Sequence, residues 1–220
     1  MDLNVRNLGT LDYQAALDLQ HELVEQRKRG DIPDQLLLLE HPDVITLGVK
    51  NRGARSHVLE SDAALAGKGI AVFETGRGGD VTYHGPGQLV GYPIVDLKPD
   101  RCDVHRYVRD LEEVLIRTVS DFGIDAGRIS GLTGIWVDAA GRQAKLAAIG
   151  VRISRWVTSH GFALNVATDL SRFELIVPCG IADKGVTSMA AVLGHTVAMD
   201  EVRKTVTSRF VEIFGRTITY

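Results

Sequence analysis

The chain has 220 residues, with 25 lysines and arginines against 28 aspartates and glutamates, for a net charge of −3. That balance excludes a general nucleic-acid binder, which needs a basic excess. Two cysteines, Cys102 and Cys179, are too few for a disulfide scaffold or a structural zinc site. Hydrophobic residues at 45% and charged residues at 24% describe an ordinary globular protein, expected as one domain over residues 1–220. No apolar run reaches membrane-spanning length, and Met1 to Arg6 lack a charged-then-apolar leader. A cytoplasmic location with reduced thiols is therefore expected, with no membrane partner.

Residues 12–29 predict a helix, with Tyr13, Ala16, Leu17, Leu23 and Val24 on one face and Gly30 as its stop. Residues 35–40 and 44–48 predict two strands joined across His41-Pro42-Asp43; the four leucines Leu36 to Leu39 suit a buried strand. The polar segment from Lys50 to Ser56 reads as a loop, Asp62 to Ala66 as a helical turn and Ile70 to Glu74 as a strand. Leu89 to Leu97 predicts another strand. Asp103 then caps the clearest helix, in which Val104, Tyr107, Val108, Leu111, Val114, Leu115, Val119 and Phe122 recur at helical spacing up to Gly123. That whole face reads as core. Strands are expected at 134–138, 145–153 and 158–166, and a last amphipathic helix at 200–214, placed as a small lobe. Hairpin-like strand pairs mixed with separated helices predict an α+β class with a central mixed or antiparallel sheet.

Between these elements lies Arg77-Gly78-Gly79-Asp80-Val81-Thr82-Tyr83-His84-Gly85-Pro86-Gly87, where glycines flank a short run of β-formers. Glycine forfeits packing and costs backbone entropy, so such density points to a tight turn or to a ligand that approaches the backbone. The strand opened by Lys145 carries Ala147, Ala148 and Gly150 about Ile149, and the next carries His160-Gly161-Phe162-Ala163. Small residues there either pack tightly on a helix or leave room for something long and thin. Three such strands would wall a narrow apolar tunnel.

Cys179 stands in Val177-Pro178-Cys179-Gly180, where Pro178 removes a donor and Gly180 lets the chain turn, presenting the thiol at a bend. It reads either as reactive or as an inert buried thiol. A nucleophilic cysteine needs a partner that favours thiolate, because its unperturbed pKa is about 8.5. His84, His160, Lys145 and Lys184 are the candidates.

Arg77 to Pro93, Lys145 to Gly150, Ser159 to Asn165 and Val177 to Gly180 resemble, in order and spacing, the motifs of lipoyl(octanoyl) transferases, formally octanoyl-[acyl-carrier-protein]:protein N-octanoyltransferases. The resemblance runs from about Leu36 to Met189. It implies a fold shared with lipoate- and biotin-protein ligases and a single catalytic acyltransferase domain without metal or cofactor. Cys179 falls on the family's thioester nucleophile and Lys145 on the lysine that lowers its pKa. Arg77 to His84, Ala148 to Gly150 and Gly161 to Ala163 fall on acyl-binding segments. The implied donor is octanoyl-acyl-carrier protein. The implied acceptors are lipoyl domains of 2-oxoacid dehydrogenases and the glycine cleavage H protein, modified by a monomer. Arg52, Arg55, Lys98, Arg101, Arg152 and Arg155 are candidates for a basic rim towards such acidic partners. Competing readings are an ATP-dependent lipoate or biotin ligase, a non-catalytic acyl-binding module and a cysteine hydrolase. His84 is weighed as a pocket-lining donor against a general base.

Overall fold

The computed structural model describes every residue except 52, 54, 100, 140, 178–183 and 220. In chain order the elements are β1 (Asp2–Thr10), α1 (Tyr13–Arg29), β2 (Asp34–Glu40), β3 (Val44–Leu47), α2 (Asp62–Gly67), β4 (Ala71–Glu74), β5 (Val81–His84) and β6 (Gln88–Ile94). They continue with α3 (Val104–Ser120), β7 (Gly127–Ile129), β8 (Leu132–Ala139), β9 (Arg142–Ser154), β10 (Val157–Asn165), β11 (Gly185–Val186), α4 (Met189–Leu193), α5 (Met199–Phe214) and β12 (Thr217–Thr219).

The larger sheet runs β12-β1-β2-β6-β10-β9-β8-β7, with β11 pairing alongside β9. Strands β12, β1 and β2 are parallel, the path from β2 to β7 is antiparallel and β11 is parallel to β9. The sheet is therefore mixed and the class α+β, as expected. A second sheet, β4-β3-β5, was not foreseen as separate.

Leu36 to Leu39 are all fully buried because helices cover both faces of β2. Leu37 and Leu39 pack with Ala16, Leu23 and Val24 of α1, whereas Leu36 and Leu38 join a cluster containing Tyr107, Leu111 and Phe210 from α3 and α5. The last helix is therefore part of the main core and not the small lobe expected. Its Val202, Val206, Phe210 and Phe214 are buried there, and the Phe210 and Phe214 rings stack 4.3 Å apart. No described helix is long and apolar enough to cross a membrane.

Local signals set several boundaries. Gly30 closes α1 at φ +80, and the Asp103 side chain caps α3 by accepting the Arg106 N–H at 3.0 Å. Helix α3 stops at Ser120, before the predicted stop at Gly123. Strands β1, β7, β11 and β12 escaped prediction: β7, β11 and β12 are two or three residues long, and β1, paired on both sides, is polar with weak alternation.

Candidate active site

The glycine-rich ribbon is held from two sides. From one, the Gly48, Val49 and Lys50 N–H groups donate to the Asp80, Arg77 and Gly79 carbonyls at 3.0 to 3.1 Å; from the other, the Gly78 N–H donates to Val151 of β9 at 2.9 Å. Glycine is required at Gly48 and Gly150 by this close approach. A Cβ at Gly48 would stand 2.8 Å from Arg77 Nη1, and one at Gly150 would stand 2.8 Å from the Gly78 carbonyl oxygen. Arg77 is buried, and its Nη2 donates to the Thr46 carbonyl at 2.7 Å and to Thr46 Oγ1 at 2.8 Å.

Between ribbon, β9 and β10 lies a cavity of about 670 Å³, the size of a small-molecule site. Its walls bring together Arg77, Gly78, Gly79, Asp80, Val81, Thr82 and His84 from the ribbon, Lys145, Ala148, Ile149 and Gly150 from β9, and Gly161, Phe162 and Ala163 from β10. Tyr83 is the predicted site residue that the described geometry separates from these. Its side chain points into the cluster it shares with Val81, where its hydroxyl donates to Asp43 Oδ1 at 2.6 Å and its ring meets Phe173 edge-on. Cys179 lies outside the described residues, as do Pro178 and Gly180.

The β10 wall has an exact cross-strand complement. Gly91 of β6 pairs with Phe162, and the ring covers the position where a Gly91 side chain would stand. Gly161 is equally constrained, since a Cβ there would come within 2.6 Å of Pro93 Cδ. These glycines are small because neighbouring strands crowd them, not because they yield their space to the cavity.

The histidines and the Tyr13 phenol of the inner wall are held neutral. His84 Nδ1–H donates to Gln88 Oε1 at 2.7 Å, while Nε2 faces the Thr46 hydroxyl at 3.4 Å; burial, then His41 and Arg77 nearby, push its pKa down to about 3. His160 is pushed down to about 4, first by burial and then by Arg77 and Arg152. Its φ of +56 is unusual inside a strand. Behind them His41 donates from Nδ1 to the Leu11 carbonyl at 2.6 Å and accepts the Tyr92 hydroxyl at 2.8 Å; burial lowers it to about 4. Burial raises the Tyr13 hydroxyl to about 12. Near neutrality Tyr13, His84 and His160 line the cavity without charge, with neutral His41 behind them, and His84 is a weak base.

Lys145 is buried in the β9 wall with its ammonium 4.7 Å from the Trp136 ring centroid, a cation–π geometry. Its carbonyl accepts the Thr187 N–H at 3.0 Å, and its partner across the parallel β9–β11 pairing is Val186.

The mouth departs from expectation. Val104, His105 and Val108 of α3 line the cavity, and Val104 is 45% exposed, so that end of the helix face is site and not core. Apolar spacing alone does not distinguish a cavity wall from a packed interface. Gly131, Leu132 and Thr133 also line the mouth. Behind them wholly buried Glu112 accepts the Gly134 N–H at 3.0 Å and pairs with Arg109 and Arg128. Of the residues expected in a basic rim, Arg55 pairs with Asp62, Lys98 with Asp96 and Arg101 with Asp110, while Arg152 and Arg155 form no ion pair among the described residues. Arg52 lies outside the described residues. Lys50 is the lysine that joins Lys145 at the cavity.

Residues 12–211 match the family model of the lipoyl protein ligase A/B catalytic domain. An octanoyltransferase of Solibacter usitatus is 57% identical over 210 residues, covering 96% of this chain and 92% of that protein. One of Koribacter versatilis is 53% identical over 220 residues, covering 99% and 86%. Among solved structures, a bipartite lipoate protein ligase of Thermoplasma acidophilum superposes with a TM-score of 0.74 at 18% identity, covering 99% of this chain and 88% of that one. A biotin protein ligase of Aquifex aeolicus gives 0.58 at 13% identity, covering 96% and 70%. At such identities these structures establish the shared fold alone.

Proposed function

The chain belongs to the lipoyl protein ligase A/B catalytic domain family, and on that premise we propose that residues 1–220 form one acyltransferase unit working through Cys179 and Lys145. It is an acyltransferase of lipoate biosynthesis that moves an octanoyl group, the activity for which its relatives are named. Its donor is octanoyl-acyl-carrier protein. Its acceptors are lysines on the lipoyl domains of 2-oxoacid dehydrogenases and the glycine cleavage H protein, and it acts as a monomer in the cytoplasm.

The reaction has two steps. The Cys179 thiolate, favoured by the Lys145 ammonium, attacks the octanoyl thioester carbonyl. The carrier's sulfur leaves and takes a proton from Lys145, so a Cys179 thioester and a neutral Lys145 amine remain. The acceptor's ε-amine then attacks that thioester, its excess proton passes to Lys145 and the Cys179 thiolate departs. One thioester replaces another in the first step, and the more stable amide draws the cycle forward, so no nucleotide is consumed. The cavity between the ribbon, β9 and β10 holds the acyl chain.

The observation that supports this reading most strongly is local. Val186, seven positions after Cys179, pairs with Lys145 in the wall of that cavity. The test is transfer from octanoyl-acyl-carrier protein to a lipoyl domain without ATP. Cys179→Ala abolishes it, Cys102→Ala leaves it intact, and Lys145→Ala slows alkylation of Cys179 by iodoacetamide near pH 7. Equal losses from both cysteine variants, or full activity of Cys179→Ala, would contradict the assignment.

A further inference from the structure

We propose that His57 and Asn165 are positioning residues that tie the two flanks of Cys179 to the acyl-pocket ribbon. The inference rests on the reading of Cys179 as the acylated residue.

The incoming flank is held through His57. Its Nδ1–H donates to Asp80 Oδ2 at 2.7 Å, and Asp80 lines the cavity. The same residue's carbonyl accepts the Val177 N–H at 2.8 Å, two positions before Cys179. A bridge between Val58 and Ile176 and a bond from Leu59 N–H to the Leu175 carbonyl at 2.9 Å extend this pairing. Asp80 is itself fixed, since its Oδ1 accepts the Val81 N–H at 2.7 Å.

The outgoing flank is held through Asn165. Its Nδ2 donates to the Thr187 carbonyl at 3.0 Å, and its Oδ1 accepts Gln88 Nε2 at 2.9 Å. Gln88 in turn accepts the His84 proton at 2.7 Å, and His84 lines the cavity. Thr187 also donates its N–H to the Lys145 carbonyl. Both ties thus begin on the ribbon that meets the acyl chain and end at Val177, two positions before Cys179, and at Thr187, eight positions after it. Seating the chain and placing the flanks share one set of hydrogen bonds. A displacement of about 1 Å at a reacting group costs up to about a hundredfold in rate, so loss of a tie acts on the chemical step more than on binding.

The test follows formation of the octanoyl adduct at Cys179 by rapid-quench intact mass, against octanoyl-acyl-carrier protein concentration. In His57→Ala and Asn165→Ala the maximal acylation rate falls about tenfold, the loss expected for one hydrogen bond to a buried or charged partner. The half-saturating donor concentration stays within about twofold. His57→Asn, whose amide Nδ2 stands where the ring Nδ1 stood, recovers most of the rate. A wild-type maximal rate in His57→Ala, or equal impairment of the Ala and Asn variants, overturns the proposal. His57 is 35% exposed, so its variants carry the test even where Asn165→Ala fails to fold. Absence of an adduct in the unsubstituted protein would refute the functional reading instead, and so be distinguishable.

Discussion

Gly91→Ala tests the account of why the cavity walls are built from small residues. Gly91 and Phe162 are directly opposed on β6 and β10, and the ring is almost wholly buried. An added Cβ would stand 2.7 Å from Cε2 and closer still to Cζ and Cε1. Carbon atoms pack at about 3.5 to 4.0 Å, so the ring must retreat by roughly 1 Å or more. Overpacking of this kind costs about 1–3 kcal/mol. At this chain length each kcal/mol lowers Tm by about 2–4 °C, which gives a fall of about 2–12 °C by calorimetry. Because Phe162 also lines the cavity, the displaced ring enters it, and the octanoyl donor's half-saturating concentration rises more than that of a shorter acyl donor. Phe162→Leu destabilises the parent, but in the Gly91→Ala background it costs at least about 1 kcal/mol less, because it removes the clash. Strict additivity of the two substitutions, or an unchanged Tm for Gly91→Ala, would refute this reasoning.

Three further outcomes test other parts of the site. Glu112→Ala leaves the buried Gly134 N–H without its acceptor and strips Arg109 and Arg128 of a shared carboxylate; partial exposure of both arginines limits the loss to about 2–3 kcal/mol in urea unfolding, and a change below 0.5 kcal/mol, roughly that of a neutral surface substitution, would contradict it. Gly150→Ala pushes against the Gly78 carbonyl and Arg77 Cδ, so it displaces the ribbon and raises the donor requirement for all acyl lengths alike; selective loss of long chains would show that the position faces the acyl chain instead. His41 and His160 are held near pKa 4 and His84 near 3, below their ordinary 6.5. Their stabilising contribution is complete above pH 6.5 and is lost as pH falls towards 4 and then 3, because the unfolded chain takes up protons that the folded chain excludes. A flat unfolding free energy between pH 6.5 and 4.5 would contradict the neutral state of these three histidines.

The long periodic elements were legible in the sequence because their burial is nearly uniform. Helix α1 begins within one residue of expectation and stops at Gly30, and the four leucines of β2 announced a buried strand. Strands β1 and β12 were not legible: their residues alternate weakly, and their place is set by parallel pairing with β2 and with each other. The small-residue strands left two readings open, tight packing or space for a ligand, and the structure shows both. Gly150 and Gly161 are crowded by the ribbon and by β6, and the space lies beside them. Val104 and Val108 show the opposite limit, since a residue facing a cavity and one facing the core have the same hydropathy. Tyr83 belongs to the ribbon by sequence alone, and its ring is separated from the cavity by its contacts with Asp43 and Phe173, which no local pattern announces. The ties through His57 and Asn165 leave no local signal, because their partners are 23 and 22 residues away.

The most direct test of the central claim is the intact mass of the protein after brief incubation with octanoyl-acyl-carrier protein and no acceptor. One added octanoyl group, mapped to Cys179, absent from Cys179→Ala and released on adding a lipoyl domain, is the predicted result. No adduct, with the lipoyl domain modified only when ATP and free octanoate are supplied, would contradict the covalent mechanism and place the chain with the adenylate-forming ligases that share its fold.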